Sequence, residues 1–287
     1  MKKIIGITTS LNKTQNIINN AYIRAFSTEN TIPLLIPNIF EPKNEIITID
    51  DKIKLSNDLE EITKHLDAII LSGGTDINPI TIGEKLKDSS AFNYNRDYVE
   101  KELIQICIRK KIPILGICRG FQMLGTYLKL NYFQQDISIT KEKHNGSNSD
   151  IYNRKEPMHD IIIFGKFKQF CEKQNIAETR ILVNSWHEQG FTLTEKGDRI
   201  LNKDLEDFVT QKVDFKDPIN KKVINNLPGI NIIMSTNYVI EGFEHKILPI
   251  VAFQFHPEEY TNSIAINYFL DKYVTKEYNE TEKEKTT

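Results

Sequence analysis

The 287-residue sequence predicts an α/β protein, in which a largely parallel sheet is covered by helices on both faces. Three observations favour this class. Short apolar runs alternate along the chain with longer segments whose apolar residues recur at helical spacing. The apolar runs are continuous, which is typical of strands buried on both faces. Glycine-containing turns follow some of these runs, at the sheet edge where ligands usually bind.

The composition is that of a globular chain without a strong charge bias. Apolar residues make up 39% of the sequence and charged residues 26%, and Lys+Arg 37 against Asp+Glu 39 gives a net charge of −2. Without a basic excess, we expect neither nucleic acid nor an anionic membrane surface as a partner. No apolar run approaches the length of a membrane span.

The cysteines and the start of the chain indicate a cytoplasmic protein. Cys107, Cys118 and Cys171 are odd in number and lack metal-ligand spacing. This pattern favours a reducing compartment and predicts neither a metal site nor a cofactor. The opening residues, MKKIIGITTSLN, predict a first strand rather than a signal peptide because their apolar stretch is short.

The first half of the chain alternates strands with helical patterns. Continuous apolar runs predict strands at 2–9, 32–36 and 69–71. A moderately amphipathic stretch at 19–29 separates the first two. Apolar residues at helical spacing predict a helix over 50–66, and they are Leu55, Leu59, Ile62 and Leu66. A further helix is predicted over 97–110, with Cys107 on its apolar side.

The central motif is the segment PILGICRGFQMLG, from Pro113 to Gly125. An apolar run at 112–117 predicts a buried strand, and the amphipathic stretch 121–128 predicts a helix. Between them, G-x-C-x-G places Cys118 in the context of a nucleophile elbow, where glycines let the strand and helix approach closely. The position at a helix N-terminus favours a thiolate over a thiol. The alternative is a buried structural cysteine on a glycine-rich turn.

A second strand end supplies a partner for the cysteine. The apolar run 250–255 ends in His256-Pro257-Glu258, and Pro257 must take the chain out of the sheet where His256 lies. Glu258 is close enough to bind one imidazole nitrogen while the other faces the thiol. A cysteine nucleophile requires such a base and orienting group. The alternative is a histidine at a strand end followed by a turn.

Other polar strand ends contribute further candidates. Gly73 and Gly74 follow the third strand, and a backbone N–H there could join the N–H of Arg119 as a pair of oxyanion donors. The run 179–183 ends in VNSWHEQG, so that His187 is a second candidate base and Ser185 with its neighbours a candidate substrate wall. Trp186 could equally be a packing anchor at a polar corner.

Two further histidines carry weaker signals. His159 competes for the role of base, although the pair His159-Asp160 fits the entry of the strand at 161–164 better. His144 lies in a polar excursion, 131–156, and is expected to be a solvated loop histidine.

The chain is expected to form one domain over 1–275. Paired strands are predicted at 230–234 and 238–243, and helices at 201–213 and 261–274. A charged insertion occupies about 195–228, and the charged residues 276–287 are expected to be a frayed tail.

Together, the motifs resemble the class I glutamine amidotransferase superfamily, and within it most closely the γ-glutamyl-γ-aminobutyrate hydrolase branch, peptidase family C26. LSGGTDINP, PILGICRGFQ, VNSWHEQG and QFHPE occur in the order of that branch. The resemblance implies a flavodoxin-like sheet with Cys118 as nucleophile, His256 as base and Glu258 as its orienter. It also implies an oxyanion hole formed by the backbone N–H groups of Gly74 and Arg119. The substrate-binding residues that it implies are Gln122, Ser185, Trp186 and His187. Phe255 and Glu188 depart from the usual pattern of the branch.

The expected function is a cysteine hydrolase that cleaves a small γ-glutamyl amine through a glutamyl thioester. The alternative is a glutaminase component that delivers ammonia to a synthetase partner. The expected partner is a small-molecule substrate, with self-association of identical chains left open.

Overall fold

The structure is a computed structural model, and it describes residues 1–12, 15–40, 47–78, 93–140, 142, 144, 154–210 and 229–275. The strands are β1 Lys3–Thr8, β2 Ser10–Asn12, β3 Gln15–Ile17, β4 Thr31–Ile36, β5 Ala68–Leu71, β6 Ile114–Ile117, β7 Phe133–Gln134, β8 His159–Ile163, β9 Arg180–Val183, β10 Gly190–Thr192, β11 Ile230–Ser235, β12 Val239–His245 and β13 Ile250–Phe253. The α-helices are α1 Asn20–Phe26, α2 Ile49–Thr63, α3 Tyr94–Lys110, α4 Arg119–Tyr127, α5 Gly165–Lys173, α6 Asn202–Thr210 and α7 Ile264–Phe269.

The centre of the fold is a sheet whose first part is parallel. Its strands follow in the order β4-β1-β5-β6-β13, and each neighbouring pair is parallel. Along β5, Ile69 and Leu71 pack into one core cluster while Ala68 and Ile70 pack into the other. The continuous apolar runs therefore do mark strands buried on both faces, and the predicted α/β fold class is confirmed.

Antiparallel strands extend the sheet beyond β13. The order continues β13-β12-β11-β8-β9, and β10 pairs with both β12 and β7. The predicted strands of the second half lie on β8, β9, β11 and β12. The antiparallel region brings residues from the middle of the chain next to β13, which carries the C-terminal motif.

Two helical layers cover the sheet. On one face, α2, α3 and α4 contribute Leu59, Leu103 and Phe121 to a single apolar cluster. On the other face, the cluster takes Phe26, Phe167 and Phe269 from α1, α5 and α7. Since α4 follows Cys118 directly, packing of this helix against the sheet fixes the position of the central motif.

The structure adds elements that the sequence did not predict. These are α5, the short strands β7 and β10, and the β2–β3 hairpin. Helix α3 begins at Tyr94 rather than Asp97, because the Asn93 side chain accepts a hydrogen bond from the N–H of Arg96 and caps it. The predicted C-terminal helix is divided into α7 and a π-helical turn, Leu270–Thr275.

Several predicted segments fall wholly or partly outside the described residues. The predicted tail 276–287 does so entirely, and residues 211–228 of the charged insertion and 145–153 of the polar excursion do so as well. Among the residues that are described, no helix is long and apolar enough to cross a membrane.

Candidate active site

Cys118 occupies a strained turn between β6 and α4. Its backbone has φ +52° and ψ −105°, a conformation that is unusual for a residue with a side chain. The flanking glycines are required by space. A Cβ on Gly116 would lie 2.6 Å from the carbonyl oxygen of Gly120, and one on Gly120 would lie 2.0 Å from that of Leu71. The G-x-C-x-G spacing thus presents the thiol at the end of the strand.

His256 lies beside Cys118 because their strands are neighbours. β6 and β13 are parallel, Ile117 is paired with Phe253, and the N–H of Cys118 donates to the Phe253 carbonyl at 2.8 Å. The imidazole of His256 and the Cys118 side chain are close enough to interact electrostatically. Burial alone would lower the pKa of His256, but the negative charges of Glu258 and Cys118 raise it to about 10. His256 is therefore a cation at neutral pH.

Two further residues hold this histidine. Its Nδ1 lies 2.7 Å from Oε1 of Glu258, and both side chains are buried. The Asn184 side chain accepts from the N–H of His256 at 3.0 Å and donates to its carbonyl at 3.1 Å. Asn184 was not singled out from the sequence, and its reciprocal bonds tie the end of β13 to the segment that follows β9.

The Gly73-Gly74 turn lies against the same pair. A Cβ on Gly73 would be 3.0 Å from Cε1 of His256 and 3.5 Å from the Cβ of Cys118. The N–H of Gly73 donates to the hydroxyl of Tyr22 at 2.8 Å. Burial and the charge of Glu258 raise the pKa of Tyr22 well above its usual value. This phenol, which sequence reasoning missed, stays neutral and packs beside the cysteine and histidine.

A buried ion-pair network supports the turn from behind. Arg96 donates to the carbonyls of Ser72 and Gly73, at 2.7 and 3.0 Å, and to Glu100 at 2.8 Å. The guanidinium of Arg119, directly after the cysteine, pairs with Glu100 and Asp97. Burial alone would raise the pKa of Glu100, but Arg119 and Arg96 lower it. One network thus links the glycine turn to the start of α4.

The predicted substrate-binding residues do not all face the same space. Gln122 on α4 donates to the Gln189 carbonyl at 2.8 Å, and Ser185 donates to the His144 carbonyl. Trp186 packs under Arg154, whose guanidinium carbon lies 5.2 Å from the ring centre. Gln122 and Ser185 therefore bind backbone carbonyls and stabilise the segment after β9. The ring of Trp186 instead packs against the guanidinium of Arg154.

Three other histidines form a separate cluster around a buried glutamate. His144, His159 and His187 approach Glu241 on β12 and are partly or fully buried. The expectation of a solvated loop histidine is wrong for His144, which is 3% exposed because it packs between His159 and His187. Of the three candidate bases, His256 is the one that follows the strand paired with that of Cys118 and lies with it against Gly73.

A cavity of about 370 Å³ opens at this site. Its lining consists of Ser10, Ile17, Ile18, Asn19, Tyr22, Gly73, Gly74, Arg154 and His256. Arg154 donates from Nε to Glu259 at 2.8 Å, which aims the guanidinium across the opening. The glycine turn, the histidine and a cationic side chain thus share one concave surface.

The fold and this arrangement define an α/β protein suited to nucleophilic chemistry at the ends of its parallel strands. The chain belongs to the peptidase C26 family, whose model matches residues 3–210. This range includes Cys118 and the glycine turn and ends before β13.

The curated relatives carry related names. A glutamine amidotransferase-like protein of Rickettsia prowazekii is 25% identical over 96% of this chain and 97% of its own length. A protein of Schizosaccharomyces pombe named as a glutamine amidotransferase is 28% identical over 69% of this chain and 64% of its own length. The γ-glutamyl-CDP-amidate hydrolase of Campylobacter jejuni is 37% identical over 32% of this chain and 40% of its own length. The chain therefore spans less than two thirds of the latter two relatives.

Solved structures agree with the fold. A GMP synthase protein of Thermoplasma acidophilum has a TM-score of 0.52 at 19% identity, covering 99% of this chain and 98% of its own. The glutaminase domain of the Trypanosoma brucei CTPS has a TM-score of 0.52 at 13% identity, covering 96% of both chains. At these identities the likeness concerns the fold alone.

Proposed function

We propose that the protein is a cysteine hydrolase that cleaves the γ-glutamyl amide bond of a small γ-glutamyl amine and releases glutamate and the amine. The observation that carries this proposal is Cys118, held at φ +52° against an imidazole that Glu258 orients. The adjoining cavity of about 370 Å³ is within the size range of small-molecule sites.

The proposed reaction has two halves. The Cys118 thiolate adds to the γ-carbonyl carbon, forming a C–S bond and placing the carbonyl electron pair on oxygen. The oxyanion then collapses, the C–N bond breaks, and the His256 imidazolium gives its proton to the leaving amine. In the second half, neutral His256 takes a proton from water, which attacks the thioester and displaces the thiolate. Glutamate leaves and the starting protonation state is restored.

The proposed oxyanion hole consists of the N–H groups of Gly74 and Arg119. Each well-aimed donor would stabilise the tetrahedral state by about 3 kcal/mol. Gly74 has φ +151°, and a Cβ there would lie 2.2 Å from Nη1 of Arg96. Arg96, which supports the turn, therefore leaves no space for a side chain at position 74. Its contacts with the turn hold the proposed N–H donor in place.

Two charged groups would bind the α-carboxylate and the α-ammonium, which both lie on the Cα of a glutamyl group, and one of them, Arg154, lines the cavity. Arg154 offers a guanidinium to the α-carboxylate, next to the Trp186 ring. Asp76 follows the glycine turn, and burial together with the charge of Glu188 raises its pKa to about 6. It is ionised at neutral pH and would bind the α-ammonium. Glu188, which departs from the family pattern, adds negative charge near Asp76 and would also attract the α-ammonium.

The test is a hydrolysis assay on the purified chain alone. A panel of γ-glutamyl amides is compared with free glutamine, and release of glutamate is measured. We expect at least one amide to be cleaved much faster than glutamine without any added protein. Negligible activity on the whole panel, with glutamine hydrolysis appearing only when a synthetase is added, would instead support the glutaminase alternative.

A further inference from the structure

A buried cluster of histidines and one glutamate lies apart from Cys118. Glu241 is in the middle of β12, His159 begins β8, His187 precedes β10, and His144 follows the 3₁₀ helix Ile137–Thr140. The side chains of His144 and His187 are 1% exposed, and that of Glu241 is fully buried. Four distant parts of the sequence thus place ionisable groups in one interior site.

The histidine nitrogens surround a single carboxylate oxygen. Oε1 of Glu241 lies 3.4 Å from Nδ1 of His144, 3.6 Å from Nε2 of His187 and 3.5 Å from Nε2 of His159. These separations exceed those of ordinary hydrogen bonds, which centre near about 2.9 Å. Within the described part of the chain, these nitrogens and both carboxylate oxygens have no hydrogen-bond partner. Buried polar groups without partners are unfavourable.

The outer contacts of the rings fix which nitrogen faces inward as a lone pair. Nδ1 of His187 lies 2.9 Å from the carbonyl oxygen of Gln189, which can only accept, so Nδ1 carries the proton. The Nε2 of a neutral ring then points a lone pair at Glu241. In His144, Nε2 lies 3.2 Å from Oε2 of Glu142, which accepts its proton, and Nδ1 is the nitrogen nearer to Glu241. This outer bonding to a carbonyl or carboxylate is typical of metal-bound histidines.

We propose that this cluster is a structural site for a divalent transition metal ion, with Zn²⁺ as the best match. In a tetrahedral zinc site with bonds of about 2.0–2.1 Å, neighbouring ligand atoms are about 3.4 Å apart. The ligand atoms of His144, His187 and Glu241 all lie within 4.8 Å of one another, and the two histidine nitrogens are 3.4 and 3.6 Å from Oε1 of Glu241. Imidazole and carboxylate ligands suit zinc among the first-row metals.

His159 lies outside this group of three, but its Nε2 is 3.5 Å from Oε1 of Glu241, and an inward movement of its ring would supply the fourth ligand. With three histidines and one carboxylate the coordination shell would be closed, which distinguishes a structural zinc site from a catalytic one. The ion would give bonds to nitrogen and oxygen atoms that have no described hydrogen-bond partner. The outer contacts to Glu142 and Gln189 would hold the rings in place.

The ion would fix the segment that supports the proposed active site. The Gln189 carbonyl that accepts from His187 also accepts from Gln122 of α4 at 2.8 Å. The His144 carbonyl accepts from Ser185 and from the His187 N–H. Asn184, at the start of this segment, holds the backbone of His256. The metal is therefore a positioning element behind the cavity and takes no part in bond cleavage.

The first test is the metal content of the purified full chain by mass spectrometry, after growth with added zinc. We expect about one equivalent in the wild type and in Cys118→Ser, which removes the proposed nucleophile and leaves the cluster intact. Glu241→Gln preserves the side-chain shape and should lose most of the metal. His65→Ala, which removes an exposed histidine, is the matched control and should keep it. Far-ultraviolet circular dichroism of each variant shows whether it is folded.

A second test does not depend on any variant folding. Wild-type protein is stripped with a chelator and titrated with Co²⁺, whose visible absorption reports coordination geometry. We expect saturation at one equivalent with a tetrahedral spectrum, displacement by Zn²⁺, and a rise in Tm with either ion. No saturable Co²⁺ signal together with no stoichiometric metal in the purified chain would overturn the proposal and leave a cluster that shares protons. Equal metal in the wild type and in folded Glu241→Gln would place the ion elsewhere and also overturn it.

Discussion

Nδ1 of His256 lies 2.7 Å from Oε1 of Glu258, and both side chains are buried. One residue, Pro257, separates them in the chain, and it starts the 3₁₀ turn Pro257–Glu259. The short connection fixes the carboxylate on one ring nitrogen and leaves the other nitrogen facing Cys118. The local sequence thus determines the orientation of the His256 ring. Substitution of Glu258 can measure how much this orientation contributes to catalysis.

Glu258→Gln should lower kcat/KM on a cleaved γ-glutamyl amide by roughly 10²–10⁴-fold, because the amide keeps the shape but removes the charge that stabilises the imidazolium. Steady-state kinetics measure the loss. The control is Glu244→Gln, a buried carboxylate that pairs with Lys272 away from the cavity. If Glu244→Gln loses as much activity at equal Tm, the effect of Glu258 is structural rather than electrostatic.

Cys118→Ala should reduce hydrolysis to less than about a thousandth of wild type, near the lower limit of what an oxyanion hole alone retains. The fold should persist because a smaller side chain fits the same turn. Turnover and thermal melting are measured together. Cys107→Ala, which removes a buried thiol from the opposite core, should keep its activity. Activity above the stated level in Cys118→Ala would exclude this residue as nucleophile.

Alkylation by iodoacetamide should depend on the charge of His256. The pKa of about 10 keeps the His256 ring cationic at pH 7, and a neighbouring cation increases the reactivity of a cysteine towards alkylation. His256→Ala should therefore slow alkylation of Cys118 at pH 7 by about tenfold or more, with a smaller difference above pH 10, where the wild-type ring loses its proton. Peptide mapping by mass spectrometry identifies the labelled cysteine.

The exposed variant His65→Ala is the control for that experiment and should alkylate at the wild-type rate. A loss of reactivity in His187→Gln that is absent in His256→Ala would transfer the role of base to His187.

The pH dependence of KM should report Asp76. Its pKa is raised to about 6 by burial and by Glu188, so the carboxylate is charged above this value and neutral below it. If the charge binds the substrate ammonium, KM rises as pH falls through about 6 while the fold is retained. Asp76→Asn should give a high KM that no longer changes over this range. Asp160→Asn, an exposed carboxylate paired with Arg180, should keep the wild-type profile, and an unchanged profile in Asp76→Asn would exclude the assignment.

Removing Arg119 should destabilise the fold strongly. Arg119→Met leaves the buried carboxylates of Glu100 and Asp97 without one of their cations, and we expect a loss of about 3–5 kcal/mol in the free energy of unfolding. Urea denaturation measures it. Arg109→Met breaks an exposed pair with Glu60 and should shift the midpoint little. Similar shifts in both variants would contradict the importance of the buried network.

Sequence patterns predicted the parts of the fold that have a simple period. Strands buried on both faces, such as β5 and β6, appeared as continuous apolar runs, and G-x-C-x-G marked the turn at Cys118. Helix α5 was missed although Phe167 and Cys171 have helical spacing, because the segment is short and rich in lysine. Short strands such as β10 depend on tertiary pairing and leave almost no local signal.

The proposed metal ligands could not have been found from spacing. Zinc motifs are recognised when ligands are close in sequence, whereas His144, His187 and Glu241 come from three separate connections and strands. The prediction of no metal site rested on cysteines alone. Asn184 and Tyr22 were missed for the same reason. Each accepts a hydrogen bond from a residue that is distant in sequence, His256 or Gly73, and only the folded sheet brings these partners together.

The position of β13 within the sheet determines when Cys118 gains its neighbouring imidazole during synthesis. β13 lies between β6 and β12, yet it follows both of them in the chain and is synthesised after them. Until it is inserted, the strand that ends at Cys118 has an open edge, and the imidazole beside the thiol is missing. A nascent chain, or one cut before residue 250, would therefore carry an unactivated thiol. The proposed hydrolysis would therefore require β13 to be in place, and it could not begin while the ribosome is still making the preceding strands.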